Sequence, residues 1–560
     1  MIGVLSTNIL SPLGFTTGEN YQAVRSGRSS LTRYESLWGI PEPLCMSLFT
    51  EEQRAQLAED GLTRFESLAY HSIREALSRV DFDVSSSRVV FILATTKGNI
   101  ERLEEEGNHD NLADAAYRIA LRIGITTLPI VVCNACISGV SAQLLALRLL
   151  EANRYDYAVV CGADCQNRFT ASGFYSLMAL SSRPCRPFDM ERCGLNLGEA
   201  AATIVFSRAA GNLWCLCKGA VRNDAFHISN PSKTAEGCFK AITAILREDD
   251  ELSLISVHGT ATLYNDQMES VALERAGLTD IPAMALKGYY GHTMGAAGVL
   301  ETILSMCCVD AAEALASRGF EELGVSGRID ISGSPLPLRG HSFLKIISGF
   351  GGCNAALYYS KQEANQQSRY CHPVVVTQHC VKIMPHGVTL DGRSIAVESY
   401  GKALLTELYK RFVDDYPKFY KMDMLSRLAF VSSEFLLHAM SENNAETEDS
   451  AVVLFNRSSS VISDREFQKT ISESGFFPSP SVFVYTLPNI AAGEIAIRNR
   501  CHGETSFYIL QEKSERMMDE ILCSTFMEEG IRSMICGWID CEDEEHFEAE
   551  LYFKVKHEPE

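Results

Sequence analysis

Cys136 is the residue of this sequence best placed to act as a nucleophile. It lies in the turn Cys133-Asn134-Ala135-Cys136-Ile137-Ser138-Gly139, between a predicted strand that ends at Val132 and a predicted helix. At a helix start, the positive end of the dipole favours a thiolate, and a free backbone N–H can face a developing oxyanion. The segment alone fits an activated cysteine and a cysteine that only fills a small apolar space equally well.

Three later segments favour the activated cysteine. His258 lies in Val257-His258-Gly259-Thr260-Ala261-Thr262, which is followed by Asn265, Asp266 and Glu269. His292 lies in Lys287-Gly288-Tyr289-Tyr290-Gly291-His292-Thr293-Met294-Gly295, which is followed by Glu301. A third turn, Ser348-Gly349-Phe350-Gly351-Gly352-Cys353-Asn354, can bring backbone close to a ligand. Both histidines therefore stand in Gly-containing turns, as the cysteine does.

Metal and cofactor chemistry have little support in the sequence. Cys133 and Cys136 form a C-x-x-C pair, but no second pair stands at zinc-finger distance. The 19 cysteines follow no framework spacing, so we expect reduced thiols. We predict neither a metal nor a cofactor.

Alternating strand and helix patterns position these turns. Arg88 to Ala94 and Tyr157 to Gly162 are apolar runs typical of strands covered on both faces. Leu62 to Val80 and Ser138 to Leu150 have helical spacing. The pattern predicts a layered α/β architecture.

Composition narrows the class of protein. The chain has 560 residues and a net charge of -21, which opposes binding to nucleic acid. The N-terminus lacks the features of a signal peptide, and the apolar stretch from Pro129 to Leu150 is interrupted by polar residues. We therefore expect a cytoplasmic protein without a membrane span.

The sequence predicts that the C-terminal third repeats the beginning of the chain after a linker at 361–372. Four weak matches occur in the same order: 65–70 with 425–430, 89–95 with 452–458, the strand and helix after Pro129 with 480–498, and 160–164 with 535–540. Similar composition of α/β strands is the alternative explanation. In the third match, the counterpart of the Cys136 turn would be 485–493, which contains no cysteine.

The ordered motifs resemble those of the β-ketoacyl-acyl-carrier-protein synthases, condensing enzymes of fatty acid and polyketide assembly. The resemblance covers 1–360, from Ser11-Pro12-Leu13-Gly14 through Cys136, Arg186-Pro187-Phe188-Asp189 and Gly198-Glu199-Ala200 to Phe350-Gly351-Gly352. It implies a thiolase-like α-β-α-β-α fold, with 1–245 and 246–360 as its two halves. The segment 373–560 would then be a second, incomplete thiolase-like half-domain.

The resemblance also implies roles for single residues. Cys136 would carry the acyl group as a thioester, and the backbone N–H groups of Cys136 and Phe350 would form its oxyanion hole, with Phe350 and Gly351 in the gating turn. His258 and His292 would bind the malonyl thioester carbonyl, and Lys287 would orient His292 with Glu301 as its charge partner. Supporting roles would fall to Thr260, Thr262 and Asp266. The expected partner is an acyl carrier protein that carries acyl and malonyl groups.

Some positions depart from the family pattern. Ala261 replaces the second glycine of the usual His-Gly-Thr-Gly-Thr, which we expect to narrow the pocket. Cys193 and Cys353 replace the usual aspartate and threonine. None of these changes removes a catalytic group.

Two other functions remain as alternatives. A pocket-shaping partner that resembles chain-length factors usually lacks the cysteine, so Cys136 disfavours this reading for residues 1–360. A thiolase would need a second catalytic cysteine in a Cys-x-Gly turn, whereas Cys353 is followed by Asn354 and Ala355. Acyl chain length, pathway and oligomeric state, either a homodimer or an internal pseudo-dimer through 373–560, are left open by the sequence.

Overall fold

The computed structural model describes residues 1–104, 111–209, 214–361, 373–440, 447–472 and 476–557. The expected linker at 361–372 lies, except for Lys361, outside these residues. The elements of the first 209 residues are β1 (Ile2–Leu10), α1 (Thr17–Arg25), β2 (Thr32–Tyr34), β3 (Leu44–Ser47), α2 (Glu51–Leu57), α3 (Arg64–Leu77), β4 (Val89–Ala94), α4 (Leu112–Ile123), β5 (Ile130–Val132), α5 (Ser138–Glu151), β6 (Tyr157–Asp164), α6 (Arg168–Ser176), β7 (Leu197–Gly198) and β8 (Ala200–Ser207).

The elements between residues 214 and 361 are β9 (Cys215–Asn223), α7 (Glu236–Ile245), β10 (Leu254–Ser256), α8 (Leu263–Arg275), β11 (Pro282–Met284), α9 (Lys287–Tyr290), α10 (Ala297–Asp310), β12 (Glu313–Ala314), β13 (Asp330–Ile331), β14 (Leu336–Pro337), β15 (Ser342–Gly349) and β16 (Cys353–Ser360). Those after residue 373 are β17 (Val374–Met384), β18 (Gly387–Leu390), β19 (Arg393–Ile395), α11 (Gly401–Phe412), α12 (Met424–Met440), β20 (Ala451–Asn456), α13 (Val461–Ser472), α14 (Pro480–Tyr485), α15 (Ile490–Asn499), β21 (Thr505–Ile509), α16 (Glu515–Thr525), β22 (Ser533–Cys541) and β23 (Phe547–His557).

The first sheet has the strand order β5-β4-β6-β8-β1. β4 runs parallel to β5 and β6, whereas β8 runs antiparallel to β6 and β1. Every residue of β4 and β8 is buried, because helices cover both faces of the sheet. The strands predicted at 88–94 and 157–162 and the helices predicted at 62–80 and 138–150 are confirmed as β4, β6, α3 and α5, within a few residues.

A second sheet has the order β13-β11-β10-β15-β16-β9 and meets the first through a short β1–β9 pairing. The buried helices α5 and α10 pack against each other and against strands of both sheets, so they form the middle layer. The half boundary expected at residue 245 is wrong, because β9 pairs with β16 and α7 packs on both strands. Strand pairing places the boundary before Cys215.

The C-terminal part forms a third sheet with the order β21-β20-β22-β23-β17-β18-β19. Its first five strands repeat the order and the parallel or antiparallel sense of β5-β4-β6-β8-β1. α12 packs on β17, β22 and β23, as α3 packs on β1, β6 and β8. The topological repeat therefore matches the internal similarity seen in the sequence.

The third match of that repeat is wrong in register. Pro480 begins the helix α14, not a strand, and 485–493 lies between α14 and α15. The counterpart of β5 is β21, which is parallel to β20 as β5 is parallel to β4. The segment that follows β21 and leads into α16, residues 510–514, is thus the counterpart of the Cys136 turn. It also contains no cysteine.

The two parts of the chain are joined through β5 and β21. These strands pair antiparallel, with Val132 opposite Tyr508. Beside this junction the buried Arg148 of α5 forms an ion pair of 2.7 Å with the buried Glu504. Residues of the C-terminal part therefore lie directly against the elements that carry Cys136.

Candidate active site

The turn around Cys136 is fixed by contacts from both parts of the chain. A 3₁₀ turn, Ala135–Ile137, leads from β5 into α5, and Ala135 has a left-handed φ of 49°. The side-chain oxygen of Asn134 accepts a 2.6 Å hydrogen bond from the backbone N–H of Phe507 in β21. The thiol, which is 8% exposed, thus lies at a tightly constrained bend before a helix, as the sequence predicted.

Cys136 lies beside the two histidines. The thiol sulfur and one ring nitrogen each of His258 and His292 lie within 4.8 Å of one another. The imidazole centroids are 5.2 Å apart and their planes meet at 80°. Nδ1 of His258 and both ring nitrogens of His292 are buried without a hydrogen-bond partner among the residues that the structure describes. Buried polar atoms of this kind are available to a ligand.

Both imidazoles are held in the neutral form. Burial lowers the pKa of His258 and of His292 well below the usual value, and the nearby charge of Lys287 lowers both further. Neutral imidazole offers one N–H donor and one acceptor, so each ring can donate to a carbonyl oxygen.

Lys287 and Glu301 form a buried ion pair beside the histidines. The ammonium group of Lys287 donates to the carbonyl oxygen of His258 at 2.6 Å and to Glu301 Oε1 at 2.7 Å. Burial raises the pKa of the Glu301 carboxyl, but the charges of Lys287 and Lys345 outweigh this effect and lower it. The expected Lys287–Glu301 pair is present, and Lys287 holds the backbone of His258 rather than the side chain of His292.

The loop after His258 is organised by two carboxyl groups of α8. Glu269 accepts hydrogen bonds from the backbone N–H groups of His258 and Gly259, at 2.5 and 2.9 Å. Asp266 accepts from the N–H of Ala261 at 3.1 Å, and Thr260 and Thr262 hydrogen bond to each other at 2.9 Å. Burial raises the pKa of Asp266 to about 6 and that of Glu269 to about 7. Asp266 therefore shapes the loop and does not reach the histidines.

Ala261 is not among the residues that line the cavity, and the expected narrowing stays a prediction. Ala261 is fully buried, its φ is 62°, and its carbonyl oxygen accepts from Gly194 N at 3.0 Å. Its neighbours Thr260 and Thr262 form the cavity wall. The methyl group thus strains the backbone, because non-glycine residues disfavour a left-handed conformation.

The turn after β15 closes the other side of the site. Gly349 lies so close to the nucleophile turn that a Cβ there would be 3.3 Å from Cys136 N. Phe350 follows, and its ring stacks at 6.1 Å on Phe174. The N–H of Gly351 donates to the carbonyl of Ile228 at 2.6 Å, so it is not available to an oxyanion. The backbone N–H groups of Phe350 and Cys136 stay the predicted oxyanion donors.

A cavity of about 540 Å³ opens onto Cys136. Its wall combines His258, His292 and Phe350 with apolar side chains such as Phe174 and Leu195, and with polar groups such as Asn265. Burial raises the pKa of the Cys136 thiol to about 12, although Lys287 lowers it in part. The helix start alone therefore does not keep Cys136 in the thiolate form. The thiol proton must leave while the sulfur attacks its substrate.

The sulfur of Cys136 and the ring nitrogens of His258 and His292 are also close enough together to hold a metal ion. The positive charges of Lys287 and Lys345 beneath them oppose a cation. The expectation of a site without metal stays a prediction.

Two contacts of the site were missed by sequence reasoning. Lys345, fully buried in β15, binds the second oxygen of Glu301, and a lysine within an apolar strand was the available signal. Asn489 of the C-terminal part donates to the carbonyl of Phe350. No pattern in the sequence links that asparagine to the site.

Two protein-family models match the segments that form this site. The model described as "Beta-ketoacyl synthase, N-terminal domain" matches residues 60–211, and the model described as "Beta-ketoacyl synthase, C-terminal domain" matches 215–321. These ranges include Cys136, His258, Lys287 and His292. Residues 60–211 and 215–321 thus match the two domain models of the β-ketoacyl synthase family. The boundary between the two models agrees with the strand pairing of β9.

Curated relatives carry names from the same family. The ketoacyl synthase alpha subunit of the tetracenomycin polyketide synthase of Streptomyces glaucescens is 30% identical over 40% of this chain and 58% of its own. The 3-oxoacyl-[acyl-carrier-protein] synthase 2 of Coxiella burnetii is 22% identical over 64% of this chain and 98% of its own. The chain spans 58 to 64% of the first three relatives that it matches.

Solved ketosynthase structures share the fold. A ketosynthase in complex with its chain length factor from Xenorhabdus doucetiae has a TM-score of 0.56 and 25% identity, over 64% of this chain and 97% of its own. A structure titled PfaC keto synthase–chain length factor has a TM-score of 0.77 and 14% identity, over 99% of this chain and 78% of its own. The expected thiolase-like α/β fold is confirmed. Among the described residues, no helix is long and apolar enough to cross a membrane.

Proposed function

We propose that this β-ketoacyl synthase is a 3-oxoacyl-acyl-carrier-protein synthase that performs a decarboxylative Claisen condensation. The observation that carries the proposal is the cluster of Cys136, His258 and His292, whose sulfur and ring nitrogens lie within 4.8 Å of one another at the cavity. One thiol and two neutral imidazoles supply a nucleophile and two carbonyl donors in one pocket.

The first half-reaction loads the enzyme. The Cys136 sulfur attacks the thioester carbonyl of an acyl group on a carrier protein, and the carrier thiol leaves with the proton of Cys136. The backbone N–H groups of Cys136 and Phe350 would stabilise the oxyanion. A neutral imidazole nitrogen within 4.8 Å is available to accept the thiol proton during attack.

The second half-reaction joins the chains. His258 and His292 donate to the thioester carbonyl of a malonyl group on a carrier protein, so that loss of carbon dioxide leaves an enolate. The enolate carbon attacks the acyl carbon on Cys136, the C–S bond breaks, and the thiolate takes up one proton. The product is a 3-oxoacyl thioester on the carrier protein, longer by two carbons.

The C-terminal part, 373–560, is proposed to be a half-domain without condensing activity that packs where a second subunit would pack. The repeated topology, the β5–β21 junction and the cysteine-free segment 510–514 support this role. The fold likeness to a keto synthase–chain length factor over 99% of the chain supports it further. A pocket-shaping role is thus the second candidate function, for this part alone. The cytoplasmic location stays a prediction, since the relatives include bacterial and mitochondrial proteins.

Intact-protein mass spectrometry tests the proposal. The full chain is mixed with medium-chain acyl carrier protein, then with malonyl carrier protein. We expect one acyl adduct on the wild type and on Cys133→Ala, none on Cys136→Ala, and a product two carbons longer. Cys133 is the matched control because it is a buried thiol in the same turn. Failure to form an adduct with short-, medium- and long-chain carriers would contradict the proposal.

A further inference from the structure

Lys345 is a fully buried lysine in the middle of the apolar strand β15. Its ammonium group lies 2.5 Å from Glu301 Oε2, 3.3 Å from the carbonyl oxygen of Val257 and 3.4 Å from that of Ser256. A buried charge is costly unless it is paired and hydrogen bonded.

Two lysines share one carboxylate beneath the histidines. Glu301 binds Lys287 through Oε1 and Lys345 through Oε2, so one carboxylate pairs with two ammonium groups. Burial lowers the pKa of Lys345, and the charge of Glu301 opposes this effect. The two ammonium groups together bind the carbonyl oxygens of three consecutive residues, 256, 257 and 258. Both lysines therefore hold the segment that runs from the end of β10 to His258.

Two carboxyl groups of α8 and the thiol of Cys136 also lie near the imidazoles. Glu269 and Asp266 of α8 hold the backbone of the His258 loop, and burial raises the pKa of both carboxyl groups. The thiol of Cys136 is protonated at neutral pH because of its raised pKa. After burial, the charges of Lys287 and Lys345 lower the pKa of both histidines, and His292 also lowers that of His258.

We propose that Lys345 is a positioning residue of the condensation site, which fixes the backbone that carries His258 and places a second positive charge beneath His258 and His292. This inference rests on the proposed function for its catalytic consequence. In the proposed mechanism both imidazoles act in the neutral form, and the second charge favours that form at mildly acidic pH. The lowered pKa of both histidines, to which the charge of Lys345 contributes after burial and Lys287, agrees with this role.

The test compares the wild type with Lys345→Met and Lys345→Gln. Lys402→Met, on an exposed ion pair with Glu544 in the C-terminal part, is the matched control. Hydrogen–deuterium exchange at the imidazole C2 atom, followed by mass spectrometry of the peptides that contain His258 and His292, gives the titration midpoint of each histidine without any substrate. The pH profile of malonyl decarboxylation gives the catalytic consequence.

We expect wild-type midpoints below 6.5 and a rise of about one pH unit in both Lys345 variants. The acidic limb of the decarboxylation profile should move to higher pH by the same amount. Lys402→Met should match the wild type in both measurements. Wild-type midpoints at or above 6.5, or unchanged midpoints in a folded variant, would overturn the inference. A Gln variant that matches the wild type would also overturn it, because hydrogen bonding alone would then suffice. Shifted midpoints in a protein that forms no acyl adduct would instead refute only the proposed function.

Discussion

Asn489 donates a 2.8 Å hydrogen bond from its side-chain amide to the backbone carbonyl of Phe350. Asn489 precedes α15 in the C-terminal part, and Phe350 is in the turn that faces Cys136. One turn into that helix, Gly493 packs so closely that a Cβ there would lie 2.7 Å from the carbonyl oxygen of Gly351. A segment without a nucleophile therefore holds the turn that supplies a proposed oxyanion donor.

Replacement of Asn489 by Ala should loosen this turn. Loss of one hydrogen bond, worth about 1 kcal/mol, should lower the rate of Cys136 acylation by about five- to tenfold. The acylation rate is followed by quenched-flow mass spectrometry. Asn499→Ala, at the opposite end of the same helix, should acylate like the wild type; equal losses in both variants would attribute the effect to the helix in general.

Removal of either histidine should separate the two half-reactions. In His258→Ala and in His292→Ala, release of carbon dioxide from malonyl carrier protein should fall by about 10² to 10³, because a preorganised donor to the developing enolate is lost. Cys136 should still be acylated, because the remaining imidazole can accept the thiol proton. The exposed His386 provides the control His386→Ala, and loss of acylation together with decarboxylation would argue against the assigned donor role.

The reactivity of Cys136 should rise steeply with pH. Its pKa of about 12 lies above its usual value because of burial, and only the thiolate is alkylated. Between pH 7 and pH 9, the rate of alkylation by iodoacetamide should therefore increase about tenfold per pH unit. Site-resolved mass spectrometry in a Cys193→Ser background, which removes an exposed thiol at the cavity, measures the rate. A plateau below pH 9 would mean that the helix start outweighs burial.

Replacement of Ala261 by Gly should stabilise the protein. A non-glycine residue in a left-handed conformation costs about 1 to 2 kcal/mol, and the added entropy of glycine in the unfolded chain returns about half of that. We expect the free energy of unfolding to rise by up to about 1 kcal/mol, measured by chemical denaturation. Ala55→Gly, on an exposed face of α2, should instead lower it by about 0.5 to 1 kcal/mol; the same sign in both variants would contradict the strain argument.

Motifs predicted the site better than they predicted the repeat. Cys136, His258 and His292 stand in Gly-containing turns whose order along the chain is distinctive, so the sequence identified the residues that the fold brings together. Lys345 was missed because a single lysine in an apolar strand gives no periodic signal. In the structure its buried ammonium group pairs with Glu301, which lies on another element.

The misplaced third match has a different cause. Residues 485–493 and the Cys136 turn share small and apolar residues, and composition cannot distinguish a helix that begins at Pro480 from a strand. Strand pairing decides the register, since β21 rather than the Pro480 segment is parallel to β20. Such pairing depends on residues far apart in the chain, which local patterns do not record.

The antiparallel pairing of β5 with β21 occurs within one polypeptide, so the Cys136 site does not rely on an encounter between separate molecules for this junction. Dilution cannot separate the two strands, and formation of the junction is a first-order process that is independent of enzyme concentration. The two parts are also made in a fixed one-to-one ratio. Each can therefore accumulate changes that suit only its neighbour, which permits one part to keep the nucleophile while the other keeps only the contacts that support it.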